Sequence, residues 1–268
     1  KVIGILGGMG PAATVELFSR IVNNTNATKD EDHVKLVIIN DPSIPDRTEY
    51  ILGNGQNPVP KLKENLNLLI NSKVDAVIIP CMTAHAFITE LQEESSIPII
   101  NGIKLVEEYL NSLDIAINRV GLLATTGSVK SKAYNNYLSR EIITPSDENQ
   151  NKLMDIIYGE KGIKAGFINT QILNELLEII YSLKEKGAQA FIAGCTELGL
   201  VLNNENTDEL IIDPVDLLAL KAIELGTKRK SNENVKWVRT LLWNHFIEDN
   251  VIRNWQLFIG CKICQGEI

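Results

Sequence analysis

Two cysteines stand at matching places in the chain, and a cysteine thiol can take up and release a proton. Cys81 follows the apolar run at residues 75–80, and Cys195 follows a similar run at residues 189–194. Each run predicts a buried strand leading into a helix, where free N–H groups and the helix dipole stabilise a thiolate. Two such groups across a cleft can remove a proton from one face of a carbon and return one to the other, which inverts a stereocentre. The alternative is that each cysteine is a small core residue.

Two basic residues can supply positive charge for an acidic ligand. Arg47 follows the second predicted strand, so it lies at the same sheet edge as Cys81, where a guanidinium can bind a carboxylate bidentately. Lys164 lies between glycines before a long predicted helix and can supply a second cation from the other half of the chain. The alternative for both is a solvated surface side chain. His85, four residues after Cys81, either tunes that thiol or packs structurally.

A glycine-rich segment at residues 7–14 follows a predicted strand and opens a predicted helix. Residues 8–13 fit the G-x-G-x-x-A pattern of dinucleotide-binding loops, so an NAD-dependent enzyme is a competing hypothesis. The acidic residue that normally binds the ribose is not cleanly placed, because residues 30–32 precede the second strand and Asp41 lies too late. A glycine backbone at a helix entrance can equally bind a carboxylate.

The elements that would position these residues are short apolar runs alternating with longer amphipathic stretches. The apolar runs predict parallel strands covered on both faces at residues 2–6, 36–40, 76–79, 97–100, 120–123, 190–193 and 211–212. Helical spacing of apolar residues predicts helices between them, including 14–22, 60–71, 103–110, 168–186 and 215–225. This alternation predicts an α/β protein with parallel sheets flanked by helices.

The chain also repeats itself. Residues 2–8 resemble residues 119–125, and residues 75–81 resemble residues 189–195. In the first copy 77 positions separate the strand glycine from the cysteine, and in the second copy 74 positions do. The repeat predicts two similarly built halves, with chance similarity between two α/β units as the alternative.

Composition bounds the class of protein. With 268 residues, of which 44% are hydrophobic and 22% charged, the chain can bury substantial cores, which excludes wholesale disorder. The formal net charge of −8 argues against nucleic-acid and membrane-surface partners, since both need a positive footprint. No apolar run reaches the roughly 18 to 20 residues of a membrane span, and the run at residues 2–6 is too short for a signal peptide. Four cysteines do not make a disulfide scaffold, so we expect a cytoplasmic protein with reduced thiols.

The segment 227–268 differs from the rest of the chain. It contains all three tryptophans and two of the four cysteines. One amphipathic helical face is predicted from Val235, Val238, Leu241, Leu242 and Phe246. We interpret the segment as a C-terminal appendage that docks on the body or on another subunit, with a non-native extension as the alternative. Cys261 and Cys264 form a lone CxxC pair, which without further ligands does not predict a zinc or redox site.

Six motifs in order carry a family resemblance. They are GILGGMGPAAT (4–14), PDRT (45–48), PCMTAH (80–85), GLLATTG (121–127), GIKAG (162–166) and GCTELGL (194–200). From about residue 2 to residue 225 the chain resembles the cofactor-independent aspartate/glutamate racemase superfamily, and within it the aspartate racemases.

The resemblance implies a fold and an activity. It implies two pseudo-symmetric, Rossmann-like α/β domains with the active site in the cleft between them, one formed by residues 1–100 plus 206–226 and the other by residues 101–205. It also implies interconversion of L- and D-aspartate without pyridoxal phosphate or a metal, usually by a homodimer. Cys81 and Cys195 would be the two proton donors and acceptors. The residues implied to line the substrate site are Asp46, Arg47, Thr48, Met82, Thr83, Ala84, Lys164 and Thr196.

One position departs from the family pattern. Where the family usually carries asparagine after the first cysteine, this chain carries Met82, and a thioether cannot donate a hydrogen bond. This difference predicts a changed rate or substrate preference. Three alternatives stay open: glutamate racemisation, another isomerisation of the superfamily such as that of maleate, and an amino-acid-binding protein with little turnover whose appendage recruits a partner.

Overall fold

A computed structural model describes residues 1–227 of the chain. The rest of the predicted appendage, including its tryptophans and the pair Cys261 and Cys264, lies outside the described residues. Within residues 1–227 the chain forms eight β-strands and nine α-helices, joined by loops and short 3-10 helices. No helix in this part is both long enough and apolar enough to cross a bilayer.

The strands form two parallel four-stranded sheets of the same topology. The first sheet contains β1 (Val2–Gly7), β2 (Lys35–Asn40), β3 (Ala76–Ile78) and β4 (Ile99–Ile100). The second contains β5 (Arg119–Leu123), β6 (Glu141–Ile143), β7 (Ala190–Ala193) and β8 (Ile211–Ile212). The strand order is β2-β1-β3-β4 in one sheet and β6-β5-β7-β8 in the other, so the two halves repeat one arrangement. The predicted α/β fold with two pseudo-symmetric halves is confirmed.

The helices cover the faces of the sheets. They are α1 (Pro11–Asn24), α2 (Arg47–Ile51), α3 (Val59–Asn71), α4 (Ile88–Glu93), α5 (Gly102–Ser112), α6 (Thr126–Lys130), α7 (Asp147–Tyr158), α8 (Thr170–Glu185) and α9 (Pro214–Gly226). Several begin at side-chain caps that bind the free N–H groups of the first turn. Asn101 caps α5, Asn169 caps α8, and Asp213 caps α9, where proline occupies the first helical position.

One glycine in the first strand of each half explains part of the sequence repeat. A Cβ on Gly4 of β1 would lie 3.2 Å from the Leu69 side chain of α3. A Cβ on Gly121 of β5 would lie 3.2 Å from the Leu183 side chain of α8. Each glycine therefore lets a helix pack closely on the strand. The matching sequence positions reflect the same helix–strand contact in both halves.

The helix α9 connects the two halves. It follows β8 of the second sheet, yet its apolar face packs on the first half. Leu218 and Ala222 of α9 share one buried cluster with Leu17 and Ile21 of α1. Burial of this apolar surface joins the last described helix to the first one along the chain.

The structure differs from the sequence prediction in two strands. Ile211–Ile212 was expected with the first domain, in the segment 206–226, but it hydrogen-bonds to β7 of the second sheet. Only the helix that follows it returns to the first half, so that part of the predicted boundary is wrong, while the rest of the division stays a prediction. Glu141–Ile143 was not predicted, because this short edge strand has an exposed glutamate and no continuous apolar run.

Candidate active site

Cys81 and Cys195 occupy equivalent places at the ends of β3 and β7. Both strands neighbour the first strand of their own half, and both cysteines are 5% exposed. Each is followed by a short 3-10 helix (Met82–Phe87 and Leu198–Leu200) instead of the expected α-helix. Because few peptide dipoles add up in so short a helix, neighbouring charges matter more than the dipole for the state of each thiol.

Both cysteines line one cavity between the two halves. Its empty volume is about 230 Å³, including its opening to solvent. The lining residues are Met9, Arg47, Cys81, Met82, Thr83, Thr125, Tyr158, Lys164, Cys195, Thr196 and Glu197. Seven of the ten residues predicted for the site are in this set, contributed by both halves of the chain.

The other three predicted residues lie behind the lining. Asp46 caps α2, its Oδ1 accepting a hydrogen bond from the Glu49 N–H at 2.9 Å. Thr48 is buried, and its hydroxyl donates to Thr125 Oγ1 at 3.3 Å. Ala84 is fully buried in the core beneath the first cysteine. These residues support the cavity wall, and their predicted contact with substrate stays a prediction.

Arg47 brings a buried positive charge to the cavity. It is 6% exposed, and its guanidinium donates to the carbonyl oxygens of Ile44 (3.3 Å), Pro45 (3.1 Å) and Met9 (3.5 Å). Burial lowers the pKa of Arg47, but the negative charges of Cys81 and Asp46 outweigh burial and raise it overall. Within residues 1–227 the buried Nε atom has no hydrogen-bond partner. A donor left in this state is available to an anionic ligand.

The Glu197 carboxylate bridges the Cys195 thiol and the Lys164 ammonium. The Cys195 thiol donates to Glu197 Oε2 at 3.0 Å, and Lys164 Nζ donates to Glu197 Oε1 at 2.5 Å. Burial raises the pKa of Cys195 well above its usual value, and the Glu197 charge raises it further, whereas Lys164 lowers it. Cys195 is therefore held as a neutral thiol at neutral pH.

A cluster of buried hydroxyl groups joins the two halves beside the cavity. Thr83 of the first half lies 3.0 Å from Thr125 of the second, oxygen to oxygen, and Ser128 donates to Thr83 at 3.1 Å. Thr196 donates to the carbonyl oxygen of Pro80, across the halves, at 2.7 Å. These bonds fix the turns that carry the two cysteines relative to each other.

Tyr158 stands at the edge of the cavity and contacts both halves. Its hydroxyl donates to Asp46 Oδ2 at 3.2 Å, and the Lys164 ammonium lies 5.2 Å from the centre of its ring. Burial and the Asp46 charge raise the pKa of Tyr158, so the hydroxyl stays protonated and can donate. The contact with the ring is a cation–π interaction that helps to orient Lys164.

The glycine-rich loop packs against the site. Gly8 has a φ of 97°, and a Cβ there would collide with the backbone of Asp41. A Cβ on Gly10 would lie 3.6 Å from Glu197 Oε1 and 3.9 Å from Lys164 Nζ. The positive φ and the close backbone contact explain the glycine at position 8, whereas a Cβ on Gly10 would make ordinary van der Waals contacts with the site residues.

His85 supports the backbone of Cys81 and does not touch its sulfur. Its Nδ1 lies 3.1 Å from the Cys81 carbonyl oxygen, and its Nε2 accepts the Gly102 N–H at 3.0 Å. This pair of contacts assigns the neutral tautomer with the proton on Nδ1. Burial lowers the pKa of His85 to about 4. Of the two roles considered for this histidine, the structural one is confirmed.

The low pKa of His85 predicts a loss of stability in acid. The unfolded chain binds a proton at His85 below its ordinary pKa of about 6.5, whereas the folded chain does so only near 4. The free energy of unfolding should therefore fall as pH is lowered through this window, by up to about 3 kcal/mol from this group. His85→Gln should remove that part of the pH dependence, as measured by urea unfolding at pH 7 and pH 4.5. His33→Gln is the control at an exposed histidine, and an unchanged pH dependence in His85→Gln would contradict the assignment.

Sequence reasoning missed four residues of the cavity lining: Met9, Thr125, Tyr158 and Glu197. Met9, Thr125 and Glu197 lie inside motifs that were recognised, so their position relative to the cysteines was an available signal. Tyr158 lies in no such motif and ends α7, a helix that was not among those predicted. Only the fold brings it to the cavity.

Comparison with known proteins places the chain among racemases. A profile of the Asp/Glu/hydantoin racemase family matches residues 6–222. The chain is 25% identical over 228 residues to the broad specificity amino-acid racemase RacX of Bacillus subtilis (strain 168), which covers 82% of this chain and 96% of that protein.

Solved structures show the same fold. The aspartate racemase of Picrophilus torridus superposes with a TM-score of 0.75 at 28% identity, covering 87% of this chain and 97% of that one. The glutamate racemase of Francisella tularensis subsp. tularensis SCHU S4, in complex with D-glutamate, superposes with a TM-score of 0.60 at 22% identity, covering 86% and 85%.

Proposed function

The chain belongs to the Asp/Glu/hydantoin racemase family, and from this premise we propose that it interconverts L- and D-aspartate by proton transfer between Cys81 and Cys195. The observation that carries the proposal is the placement of both thiols, from equivalent positions of two halves, on one small cavity. The reaction needs two acid–base groups on opposite faces of the α-carbon, and the two cysteines supply them without pyridoxal phosphate or a metal.

The charges of the lining favour an acidic amino acid. Arg47 and Lys164 are cations, and Glu197 is the carboxylate that pairs with Lys164. This pairing leaves the Arg47 guanidinium to bind a carboxylate of the ligand. Arg47, with its unpaired Nε, is the stronger candidate for binding a carboxylate, since Lys164 is already engaged. The similarity to the aspartate racemase of Picrophilus torridus, at 28% identity over 97% of that chain, supports aspartate as a substrate.

The two thiols differ in their resting state. Cys195 donates a hydrogen bond to Glu197 and keeps its proton, so it starts as the acid. Cys81 lies on the same cavity beside the guanidinium of Arg47, and we assign it the complementary role of the base.

The reaction follows from these states. The Cys81 thiolate accepts the α-hydrogen as a proton, and the Cys195 thiol donates its proton to the opposite face of the resulting carbanion. Arg47 and the hydroxyls of Thr83 and Thr125 lie where they can bind the substrate carboxylate and its developing charge. The Cys195 thiolate then lies beside Glu197, and the Lys164 ammonium offsets part of that repulsion. In the other direction the two cysteines exchange roles.

The family resemblance supports a homodimer. The free thiols of Cys81 and Cys195 support a cytoplasmic location. The reaction requires Cys81 and Cys195 in the reduced state, which favours a reducing compartment.

An assay of the purified full chain tests the proposal. Each enantiomer of aspartate, glutamate and alanine is incubated separately, without added cofactor, and the opposite enantiomer is quantified by chiral chromatography. We expect turnover of both enantiomers of aspartate at a kcat/KM at least about tenfold above that for alanine, because alanine lacks the second carboxylate that a cation would bind. Equal or faster turnover of alanine would contradict the assigned role of the cations. Turnover of glutamate alone would contradict aspartate as the substrate. Tight binding of aspartate without turnover would contradict the proposed racemase activity.

A further inference from the structure

Arg20, on α1, does not line the cavity but contacts the segment that carries Cys195 and Glu197. Its side chain is 13% exposed. Its Nη2 donates to the carbonyl oxygen of Gly199 at 3.1 Å, and its Nη1 donates to Asp213 Oδ2 at 2.5 Å. Arg20 thus connects the first helix of the chain to a turn of the other half.

The turn rests directly on this ion pair. A Cβ on Gly199 would collide with Asp213 Oδ2 and would lie 2.9 Å from Arg20 Nη2. No side chain fits at this position while Arg20 and Asp213 keep their places. The backbone of Gly199 is therefore seated on the pair, and a movement of the pair would displace it.

A short turn, closed by a backbone hydrogen bond, joins Gly199 to the catalytic side chains. Glu197 is the residue that precedes the 3-10 helix Leu198–Leu200, and the Leu198 N–H donates to the Cys195 carbonyl oxygen at 3.0 Å. Gly199 lies two residues after Glu197 and four after Cys195. The position of the Gly199 carbonyl group thus constrains both ends of the hydrogen bond between Cys195 and Glu197.

Acidic groups surround Arg20 from two helices. Glu16 of α1 accepts from Nε at 2.8 Å, and Asp216 of α9 accepts from Nη1 at 2.9 Å. Asp213 also caps α9 by accepting the Val215 N–H at 2.9 Å. With three of its nitrogens bound to carboxylates or a carbonyl, the guanidinium has a fixed orientation.

We propose that Arg20 is a positioning residue for the reaction, which holds Cys195 and Glu197 in place through Asp213 and the Gly199 carbonyl group. This inference rests on the proposed racemase function. Because Arg20 does not touch the cavity, its loss should affect proton transfer at Cys195 and leave substrate binding nearly intact. The contacts of Arg20 stabilise the segment that carries Cys195 and not the segment that carries Cys81.

Substitutions at both sides of the contact test the proposal. Arg20→Met should lower kcat by about 10²-fold with KM changed less than about threefold, because a displacement near 1 Å can cost that much in rate. Gly199→Ala should produce a similar loss while keeping all charges, since its methyl group displaces the turn. Arg20→Lys, which keeps the charge but not the planar guanidinium, should restore part of kcat.

A thiol-labelling measurement works without turnover and reports on a variant even if its fold is weakened. Iodoacetamide modification of Cys195 and Cys81 is followed by peptide mass spectrometry, with Cys81 as the internal reference. In Arg20→Met and Gly199→Ala the Cys195 rate relative to Cys81 should change by at least about threefold, because reactivity follows thiolate character and access. If the wild type lacks racemase activity but the labelling ratio changes as expected, the proposed function fails, while the effect of Arg20 on the position of Cys195 is established separately.

Glu16→Gln is the matched control, because it alters one contact of Arg20 on its own helix and leaves the contacts to Asp213 and Gly199 in place. It should keep kcat within about twofold of wild type. The positioning role would be overturned if Arg20→Met and Gly199→Ala lowered the melting temperature but kept kcat and the labelling ratio at wild-type values.

Discussion

Replacing either Cys81 or Cys195 by serine is expected to lower kcat for aspartate racemisation by about 10³-fold or more, within the range that general acid–base catalysis contributes. A serine hydroxyl is close in size to a thiol, so the cavity should keep its shape. It is, however, a far weaker acid, so it can neither remain as an anion beside Arg47 nor give up a proton readily to a carbanion. Since one turnover uses both sulfurs, each single substitution should nearly abolish the reaction.

Solvent isotope exchange separates the two cysteines. In deuterated water each single variant retains one thiol, which should still exchange the α-hydrogen of the enantiomer that faces it. Cys81→Ser and Cys195→Ser should therefore exchange opposite enantiomers, as followed by proton NMR of the substrate. This complementary pattern is specific to two bases on opposite faces of one carbon.

Cys261→Ser provides a matched control, since it makes the same chemical change outside the described residues. It should leave racemisation and exchange at wild-type rates. Full racemisation in either Cys81→Ser or Cys195→Ser would remove that sulfur from the reaction. Exchange of the same enantiomer by both variants would contradict the placement of the thiols on opposite faces.

The strands and the place of the two cysteines were predictable because their signals are local. A parallel strand buried on both faces must be apolar along its length, and β1, β3, β5 and β7 are short runs of this kind. A residue that follows such a strand is fixed at one edge of the sheet. The repeated motifs then brought Cys81 and Cys195 to equivalent edges without any knowledge of side-chain packing.

The partners of the cysteines were less predictable because they come from distant parts of the chain. The sequence predicts Lys164 as a cation for the substrate, yet in the fold its ammonium binds Glu197, which is 33 residues away. The motif shows that Glu197 stands two residues after Cys195, but it does not show that the carboxylate is buried and bound to the thiol. The 3-10 helix Ile163–Ala165 determines where Lys164 lies, and this element has no apolar periodicity to reveal it.

The edge of the second sheet shows the same limit. The strand Glu141–Ile143 forms because β5 offers hydrogen bonds to it, and Ile211–Ile212 joins β7 although the helix after it belongs with α1. Pairing partners of short strands are set by tertiary contacts, which a sequence pattern does not contain. Domain boundaries drawn through such strands are correspondingly the least secure part of a sequence prediction.

Replacing Arg47 by methionine is expected to lower kcat/KM for aspartate by about 10²- to 10³-fold, mainly through a higher KM. Losing one partner of a buried charge pair costs about 3–5 kcal/mol, and 1.4 kcal/mol corresponds to a factor of ten. Arg47 is 6% exposed and its Nε atom is unpaired within residues 1–227, so a bound carboxylate has a desolvated donor to meet. Arg47→Lys keeps the charge but loses the planar pair of donors, so its kcat/KM should lie between those of wild type and Arg47→Met.

The loss should appear in binding as well as in turnover. Calorimetric titration with malonate, a dicarboxylate without an α-amino group, should show an affinity for wild type that Arg47→Met lacks. Arg119→Met is the control, because it removes an arginine that pairs with Glu141 on the surface, away from the cavity, and should keep KM within about twofold. The Arg47 guanidinium also holds the carbonyl groups of Ile44 and Pro45, so urea unfolding must show Arg47→Met to be folded under assay conditions. A folded Arg47→Met protein with wild-type KM and malonate affinity would mean that the carboxylate binds elsewhere, with Lys164 as the remaining cation of the lining.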